Sequence, residues 1–188
     1  MTGISFQKLD LEGAYLISSF YSGDHRGSFT KHFEKDAFLD AGISFCLSET
    51  FTSMSMKNVI RGLHFQTHSP QAKLVSVVAG SVWDVIVDLR PNSITFKQWY
   101  AKELSAENHL SLYVPQGFAH GFASLLDNTV VLYQCDGKYD ADTDTGIIFN
   151  DPEIGIKWPV DENVAIHSAR DLQFGDIKKY LENPMETS

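Results

Sequence analysis

The chain has 188 residues, 43% of them hydrophobic, and a formal net charge of −9. This length predicts one domain, residues 1–188, with a packed core. The acidic balance argues against nucleic acid as a partner, because nucleic-acid phosphates need a basic face. Two cysteines, no signal-peptide pattern and no apolar run of 18 residues predict a cytoplasmic protein without a membrane partner.

The N-terminal third predicts short strands and one helix. Residues 4–9 and 14–20 read as strands, and residues 24–27 read as a turn before a strand over 28–33. Residues 35–41 predict a helix that Gly42 ends. Residues 45–54 alternate large and small side chains, as a strand between two environments does.

A predicted hairpin follows, and its polar side chains are unusual for a core. Residues 60–66 and 74–79 are rich in Val, Ile, Leu and Phe, and a Ser-Pro turn separates them. If both arms belong to one sheet, His64 and Lys73 can project onto the same face. A hydrogen-bonded core histidine is the simpler interpretation of His64 alone, but Lys73 and a second His motif downstream favour an active site.

The rest of the chain continues the pattern of short strands. Residues 81–89, 96–104 and 110–114 predict strands, and 119–126 with 129–135 predict a hairpin. An acidic loop over 136–145 precedes an irregular segment, a terminal helix over 176–181 and a frayed tail over 182–188. Turn signals at intervals of 8–12 residues indicate an all-β sandwich or barrel with a few short helices. Residues 146–188 are expected to form a C-terminal appendage.

The segment YVPQGFAHGF, residues 113–122, carries Pro-x-Gly-x-x-His before an apolar strand. This is the second signature of a cupin, a jelly-roll barrel. The first cupin signature supplies His-x-His and a Glu as metal ligands, whereas this chain has Leu-His-Phe-Gln at 63–66 and Lys73 at the Glu position. An ammonium group has no lone pair to offer a metal. The pattern therefore predicts a cupin without its metal site, with His64, Lys73 and His120 as an acid–base set.

Several further residues could complete that set. A histidine base needs a carboxylate on its far ring nitrogen, and three fit by type: Asp84, Asp88 and Asp171. Tyr133 lies on a predicted inner strand and is either an acid or a core aromatic. Arg26 and Arg61 flank glycines, where an Arg binds phosphate or remains a solvated surface charge.

Five segments in order identify a resemblance: RGLHFQ, PQAKLVSVVAGSVWDVIVDLR, LSAENHLSLYVPQGFAHGF, LYQC and GIIFNDPEIGIKWP. From about residue 24 to residue 171 the chain resembles the dTDP-4-dehydrorhamnose 3,5-epimerase family. The resemblance implies a cupin jelly-roll that forms a homodimer and needs no metal or organic cofactor. It also implies epimerisation of a nucleotide-linked 4-keto-6-deoxy sugar at C3, C5 or both, in deoxysugar and cell-surface polysaccharide biosynthesis.

The resemblance also implies roles for individual residues. His64 matches the base that removes the proton alpha to the C4 ketone, and Asp171 matches the partner of that base. Tyr133 matches the acid on the opposite face, and Lys73 matches the cation near the C4 oxygen. The remaining matches are substrate-binding positions: Arg26, Arg61 and Arg170 around the diphosphate, Tyr139 against the nucleobase, Gln66 in the first motif, and His120 as a second active-site histidine.

Two stretches depart from the family pattern. Phe29–Thr30–Lys31 stands where common members read Phe-x-Glu, and ETFTS at 49–53 stands where they read Gln-Asp-Asn-His-Ser. Lys31 and Glu49 change the hydrogen-bonding groups around the ligand. The nucleotide, dTDP or GDP, and the choice between C3, C5 or both therefore stay open.

Three alternatives use the same barrel. A 3,4-ketoisomerase would move protons on one face, and the retained Tyr133 argues against it. A non-catalytic sugar-nucleotide-binding cupin would not need His64 and Tyr133, and both are present. A metal-dependent cupin dioxygenase is disfavoured by Lys73.

Overall fold

The computed structural model describes residues 3–185, and within them the chain is built almost entirely from strands. The strands are β1 (Ser5–Lys8), β2 (Tyr15–Ser18), β3 (Phe20–Asp24), β4 (Gly27–Lys31), β5 (Leu47–Ser55), β6 (Ile60–Gln66), β7 (Ala72–Ala79), β8 (Ser81–Asp88), β9 (Trp99–Ser105), β10 (Leu110–Val114), β11 (Phe118–Ser124), β12 (Thr129–Asp136) and β13 (Asp144–Gly146). The helices are α1 (Lys35–Asp40) and α2 (Ile177–Glu182), and a 3-10 turn covers Asp171–Gln173.

The strands form two antiparallel sheets that face each other. One sheet has the order β1-β2-β10-β7-β12-β5, and the other has the order β13-β6-β11-β8-β9. Side chains from both sheets meet in one core cluster, among them Val75 and Val131 of the first sheet and Ile86 and Phe122 of the second. This arrangement confirms the predicted all-β jelly-roll with a few short helices. The hairpin β3–β4 stands apart as a two-stranded sheet.

Both predicted internal hairpins are wrong. Strands β6 and β7 belong to opposite sheets, and so do β11 and β12. The turn residues between them do reverse the chain, but the reversal carries it across the barrel instead of back along the same sheet. Turn chemistry specifies a reversal locally, whereas the partner of each strand depends on how the whole barrel closes. His64 and Lys73 are therefore not neighbours on one face but lie on facing sheets.

Strand alternation sends His64 of β6 and Asp84 of β8 inward. Leu63 and Phe65 of β6 pack in an outer cluster with Val85 of β8, so that His64 and Asp84 point to the barrel interior. Ile154 and Ile177 from the C-terminal segment cover that outer cluster. The same sheet thus has a functional inner face and an apolar outer face.

The helices lie where the sequence predicts them, within a residue or two. Asp176 begins α2 by accepting a hydrogen bond at Oδ1 from the Lys179 N–H over 2.9 Å. The prediction of a frayed tail is wrong at Met185, which is buried, and residues 186–188 of that tail lie outside the described part of the chain. Between residues 3 and 185, the structure contains no helix of the length and apolarity needed to cross a membrane.

Candidate active site

A cavity of about 420 Å³ opens between the two sheets. It gathers most of the residues that the sequence singled out. Three of the predicted catalytic residues line it: His64, Lys73 and Tyr133. Five of the predicted binding residues do so as well: Glu49, Arg61, Gln66, His120 and Tyr139.

Asp171 lies behind His64 and completes a His–Asp pair. The distance from His64 Nε2 to Asp171 Oδ1 is 3.0 Å, and Asp171 Oδ2 accepts the Gly62 backbone N–H over 3.1 Å. Burial alone would raise the pKa of Asp171, but the hydrogen bonds from His64 and Gly62 and the His64 charge lower it to about 2. An ionised Asp171 accepts a hydrogen bond from Nε2–H of the neutral imidazole, which leaves the lone pair of His64 Nδ1 available to act as a base.

The other two aspartates that fit by type have different partners. Asp84 is fully buried and lies 2.8 Å from His120 Nε2, so it orients the second histidine. Burial raises the pKa of Asp84, and His120 opposes that shift. Asp88 instead forms an ion pair with Arg90 at 2.7 Å and lies outside the cavity lining. The geometry thus selects Asp171 for His64.

Two glycines let the histidine-bearing strands approach closely. His64 on β6 stands opposite His120 on β11 in the antiparallel register. Gly62 has a φ of +113°, and a Cβ placed on it would lie 2.7 Å from Gly121 Cα. Any larger side chain at either glycine would push the strands apart and separate the two His–Asp pairs.

Lys73 enters the cavity from the facing sheet, on β7. Burial lowers its pKa, while the nearby groups Cys135, Asp144, Glu49 and Asp84 oppose that shift. An ammonium group held in a cavity between two sheets stabilises negative charge that develops on a ligand oxygen. In the part of the chain that the structure describes, no three His, Cys, Asp or Glu side chains converge as metal ligands would.

Tyr133 lies on β12 of the same sheet as Lys73, with its ring buried. The Phe51 ring stacks on it at 4.8 Å between centroids, and the His120 ring meets it edge-on at 5.9 Å. Burial raises the pKa of Tyr133, and Asp84 adds to the shift while Ser53 and Arg61 oppose it. Tyr133 therefore remains a protonated phenol at neutral pH, able to donate a proton.

The mouth of the cavity carries two residues that sequence analysis gave no role. Asp144 Oδ2 accepts hydrogen bonds from Tyr139 over 3.1 Å and from Arg170 over 2.8 Å, which links Arg170 to the cavity that it does not line. Gln71 Nε2 donates to Glu49 Oε1 over 2.6 Å. The sequence of the acidic loop that contains Asp144 predicted only turns. Gln71 lies in PQAKLV, one of the segments that carry the family resemblance, but that segment gave it no role.

The Gln66 side chain holds together the backbone segments at the rim of the cavity. Its side chain donates to the carbonyls of Ser69 and Lys138 and accepts the Asp140 N–H over 3.0 Å. Arg61 Nε donates to Ser55 Oγ over 3.0 Å. Arg61 Nη2 donates to the Met54 carbonyl over 3.2 Å. Arg61 also lines the cavity, and the N–H groups that these two bonds leave over can bind an anion there.

Arg26 and Lys31 are not brought to the cavity of their own chain. Arg26 lies at the exposed tip of β3–β4 and pairs with Asp24 at 2.6 Å. Lys31 pairs with Glu34 at 3.1 Å. Both residues belong to the hairpin that stands apart from the two main sheets.

The sequence and the fold match known proteins over most of the chain. The family model for dTDP-4-dehydrorhamnose 3,5-epimerase matches residues 8–179. The enzyme of that name from Methanothermobacter thermautotrophicus is 42% identical over 161 residues, which cover 86% of this chain and 87% of the relative.

Two solved structures extend the match to the fold. The dTDP-6-deoxy-D-glucose-3,5-epimerase RmlC from Legionella pneumophila, in complex with dTDP-4-keto-L-rhamnose, has a TM-score of 0.92 and 33% identity, covering 98% of this chain and 100% of its own. ChmJ, a 3'-monoepimerase from Streptomyces bikiniensis in complex with dTDP-quinovose, has a TM-score of 0.86 and 30% identity. The match covers 93% of this chain and 88% of the ChmJ chain. The chain therefore belongs to the dTDP-4-dehydrorhamnose 3,5-epimerase family, whose members are isomerases of deoxysugar biosynthesis.

Proposed function

We propose that this enzyme inverts a carbon alpha to the C4 ketone of a dTDP-linked 4-keto-6-deoxy sugar, with His64 as base and Tyr133 as acid. The observation that carries the proposal is the placement of these two side chains on opposite sheets of one cavity. A sugar ring bound between the sheets has the base on one face and the acid on the other. Inversion requires this arrangement, because the proton must return to the face opposite the one it left.

The chemistry proceeds through an enolate. His64 Nδ1 takes the proton, the C–H electron pair forms a carbon–carbon double bond, and the ketone electrons move onto the C4 oxygen. Lys73 stabilises that oxyanion, an electrostatic effect worth roughly 3–4 kcal/mol in comparable sites. Tyr133 then donates its proton to the carbon from the other face, the ketone re-forms, and solvent reprotonates the tyrosinate and removes the proton from His64.

The nucleotide we propose is dTDP. The solved relatives RmlC and ChmJ are in complex with dTDP-linked sugars, and this supports dTDP over GDP. Arg61 and Arg170 supply positive charge near the mouth for the diphosphate, and Tyr139 offers a half-exposed ring for the base. Glu49 is engaged by Gln71, and we propose that the pair contacts the nucleotide as a unit.

A single-position epimerase is the second candidate. The similarity to ChmJ, a 3'-monoepimerase with 30% identity, is the observation that introduces it. The two candidates share every proton-transfer group, so only the labelled carbon in the product separates them.

We propose a homodimer in which the β3–β4 hairpin supplies Arg26, and with it Lys31, to the cavity of the second copy. A two-stranded hairpin is marginally stable by itself, and this one exposes the rings of Tyr21 and Phe29.

Free cysteines at 46 and 135 suit a cytoplasmic enzyme.

Complementation tests this dimer directly. An Arg26→Ala chain and a His64→Ala chain should each be nearly inactive alone. When the two chains are mixed and refolded together, activity should return, because one of the two cavities in each mixed dimer is then intact. Light scattering should show twice the chain mass. A monomer, or a mixture as inactive as its components, would remove Arg26 from the site.

The test of the function itself is solvent deuterium incorporation, followed by NMR, into 4-keto-6-deoxy sugars linked to dTDP or GDP. We expect exchange with the dTDP sugar, at C3 and C5 for a 3,5-epimerase or at one carbon for a single-position enzyme. Folded protein that exchanges no carbon of any substrate would leave a non-catalytic binding protein as the function.

A further inference from the structure

Phe51 occupies an unusual place for an exposed aromatic residue. It lies on β5, the edge strand of the six-stranded sheet, and nearly half of its surface is exposed. Alternation along β5 points Glu49, Phe51 and Ser53 into the cavity. Phe51 stands directly opposite Tyr133 on β12, and their rings stack at 4.8 Å with 16° between their planes.

The packing of Tyr133 leaves its ring little freedom. Phe51 covers one part of it face to face, and His120 meets it edge-on. Ser53 approaches the phenol, yet Ser53 Oγ has no hydrogen-bond partner in residues 3–185. The position of the phenol oxygen therefore follows from the packing of the ring that carries it.

We propose that Phe51 is a positioning residue for Tyr133 and determines how often proton removal ends in inversion. The inference rests on the proposed function. Once His64 has taken the proton, the enolate has two fates. His64 can return a proton to the original face, which exchanges it with solvent and leaves the configuration unchanged, or Tyr133 can donate from the opposite face, which inverts the carbon.

The ratio of inversion to exchange depends on where the Tyr133 hydroxyl points, because proton donation needs the donor within hydrogen-bond reach of the carbon. Phe51 holds the Tyr133 ring, and with it the hydroxyl, through a stacked arrangement that aromatic pairs favour. The alternative is that Phe51 only forms a wall of the cavity, which would change substrate affinity and leave the ratio unaltered.

The first experiment measures that ratio in deuterated water with the dTDP-linked 4-keto-6-deoxy sugar. Phe51→Leu keeps an apolar side chain but loses the ring. It should lower the number of inversions per exchange event by about tenfold, which is part of the roughly hundredfold or more that a placed general acid contributes. Phe51→Tyr keeps the stack and should restore the wild-type ratio. Met54→Ala, an exposed apolar residue that the alternation of β5 places on the opposite face, is the matched control and should retain the wild-type ratio.

Two results would overturn the proposal. A wild-type ratio in Phe51→Leu with only a higher KM would make Phe51 a wall of the binding site. An equal loss in Phe51→Leu and Phe51→Tyr would show that the aromatic stack is not the cause.

A second measurement does not depend on turnover. In protein labelled with 3-fluorotyrosine, the Tyr133 resonance is identified as the one of seven tyrosine signals that Tyr133→Phe removes. The ring current of a stacked Phe51 should shift this resonance, so that Phe51→Leu moves and broadens it while Met54→Ala does not. An unmoved resonance would refute the positioning role. If wild-type protein exchanges no substrate, the proposed function fails, whereas this signal still decides whether Phe51 holds Tyr133.

Discussion

Replacing Asp171 by Asn tests the His64–Asp171 pair with the smallest change in shape. The asparagine can still accept the Gly62 N–H, but it removes the charge that holds Nε2–H of His64 at 3.0 Å. Without that charge, the imidazole is free to adopt the other tautomer and to turn its proton towards the substrate. The base is then present but blocked, and kcat should fall by a hundredfold or more.

The same pair is expected to contribute to the stability of the fold. The Asp171 pKa falls from an ordinary 3.8 to about 2, and at about 1.4 kcal/mol for each pH unit this difference corresponds to about 2 kcal/mol. Because the folded-state pKa is the lower one, the ionised carboxylate stabilises the fold fully above pH 3.8. That stabilisation is lost as the pH falls through 2. Asp171→Asn should therefore be about 2 kcal/mol less stable than wild type at pH 7, with the difference shrinking between pH 4 and pH 2.

Urea denaturation at pH 7 and at several pH values down to 2, together with steady-state kinetics, measures both effects. Asp88→Asn is the control, because Asp88 is also fully buried but pairs with Arg90 outside the cavity. The control should lose stability and keep kcat. An Asp171→Asn enzyme with wild-type kcat, or a stability difference that does not change below pH 4, would refute this assignment of the pair.

Three further substitutions test other parts of the site. Lys73→Met should lower kcat with little change in KM, because the enolate charge exists only on the way to the transition state. It should also raise the Tm, because burial disfavours the ammonium. A pure KM effect would make Lys73 a binding residue. Arg61→Ala should raise KM about tenfold to a hundredfold through the loss of a charge-assisted contact to the diphosphate, and an unchanged KM would exclude that contact. Gly121→Ala should lower both stability and kcat in thermal and kinetic assays, because the Arg61 carbonyl lies 2.6 Å from the new Cβ, and a wild-type Tm would show that the strands can separate at no cost.

Most strands and eight of the residues that line the cavity were predictable from the sequence, but the way the strands pair was not. Alternation and turn residues located β6, β7, β11 and β12 to within a few residues, because those signals are local. The same signals cannot show whether a reversed strand pairs with its predecessor or crosses to the facing sheet. The predicted hairpins failed for that reason, and with them the view of His64 and Lys73 as neighbours on one face.

The choice among carboxylates shows a similar limit. By residue type alone, Asp84, Asp88 and Asp171 were equivalent partners for His64. Asp171 lies 107 residues from His64 in the chain and reaches it only because the C-terminal segment packs against the five-stranded sheet. Resemblance to a family identified this pair, whereas the roles of Asp144 and Gln71 at the mouth needed the coordinates.

The separate roles of the acid and the base are tested most directly by deuterium exchange in two variants, His64→Ala and Tyr133→Phe, with the dTDP-linked 4-keto-6-deoxy sugar. We expect His64→Ala to show neither exchange nor inversion, because no proton leaves the sugar. Tyr133→Phe should still exchange the proton alpha to the ketone for deuterium, with the carbon keeping its configuration. Inverted product from Tyr133→Phe at the wild-type rate, or exchange by His64→Ala, would contradict proton transfer between the two faces of the sugar by these residues.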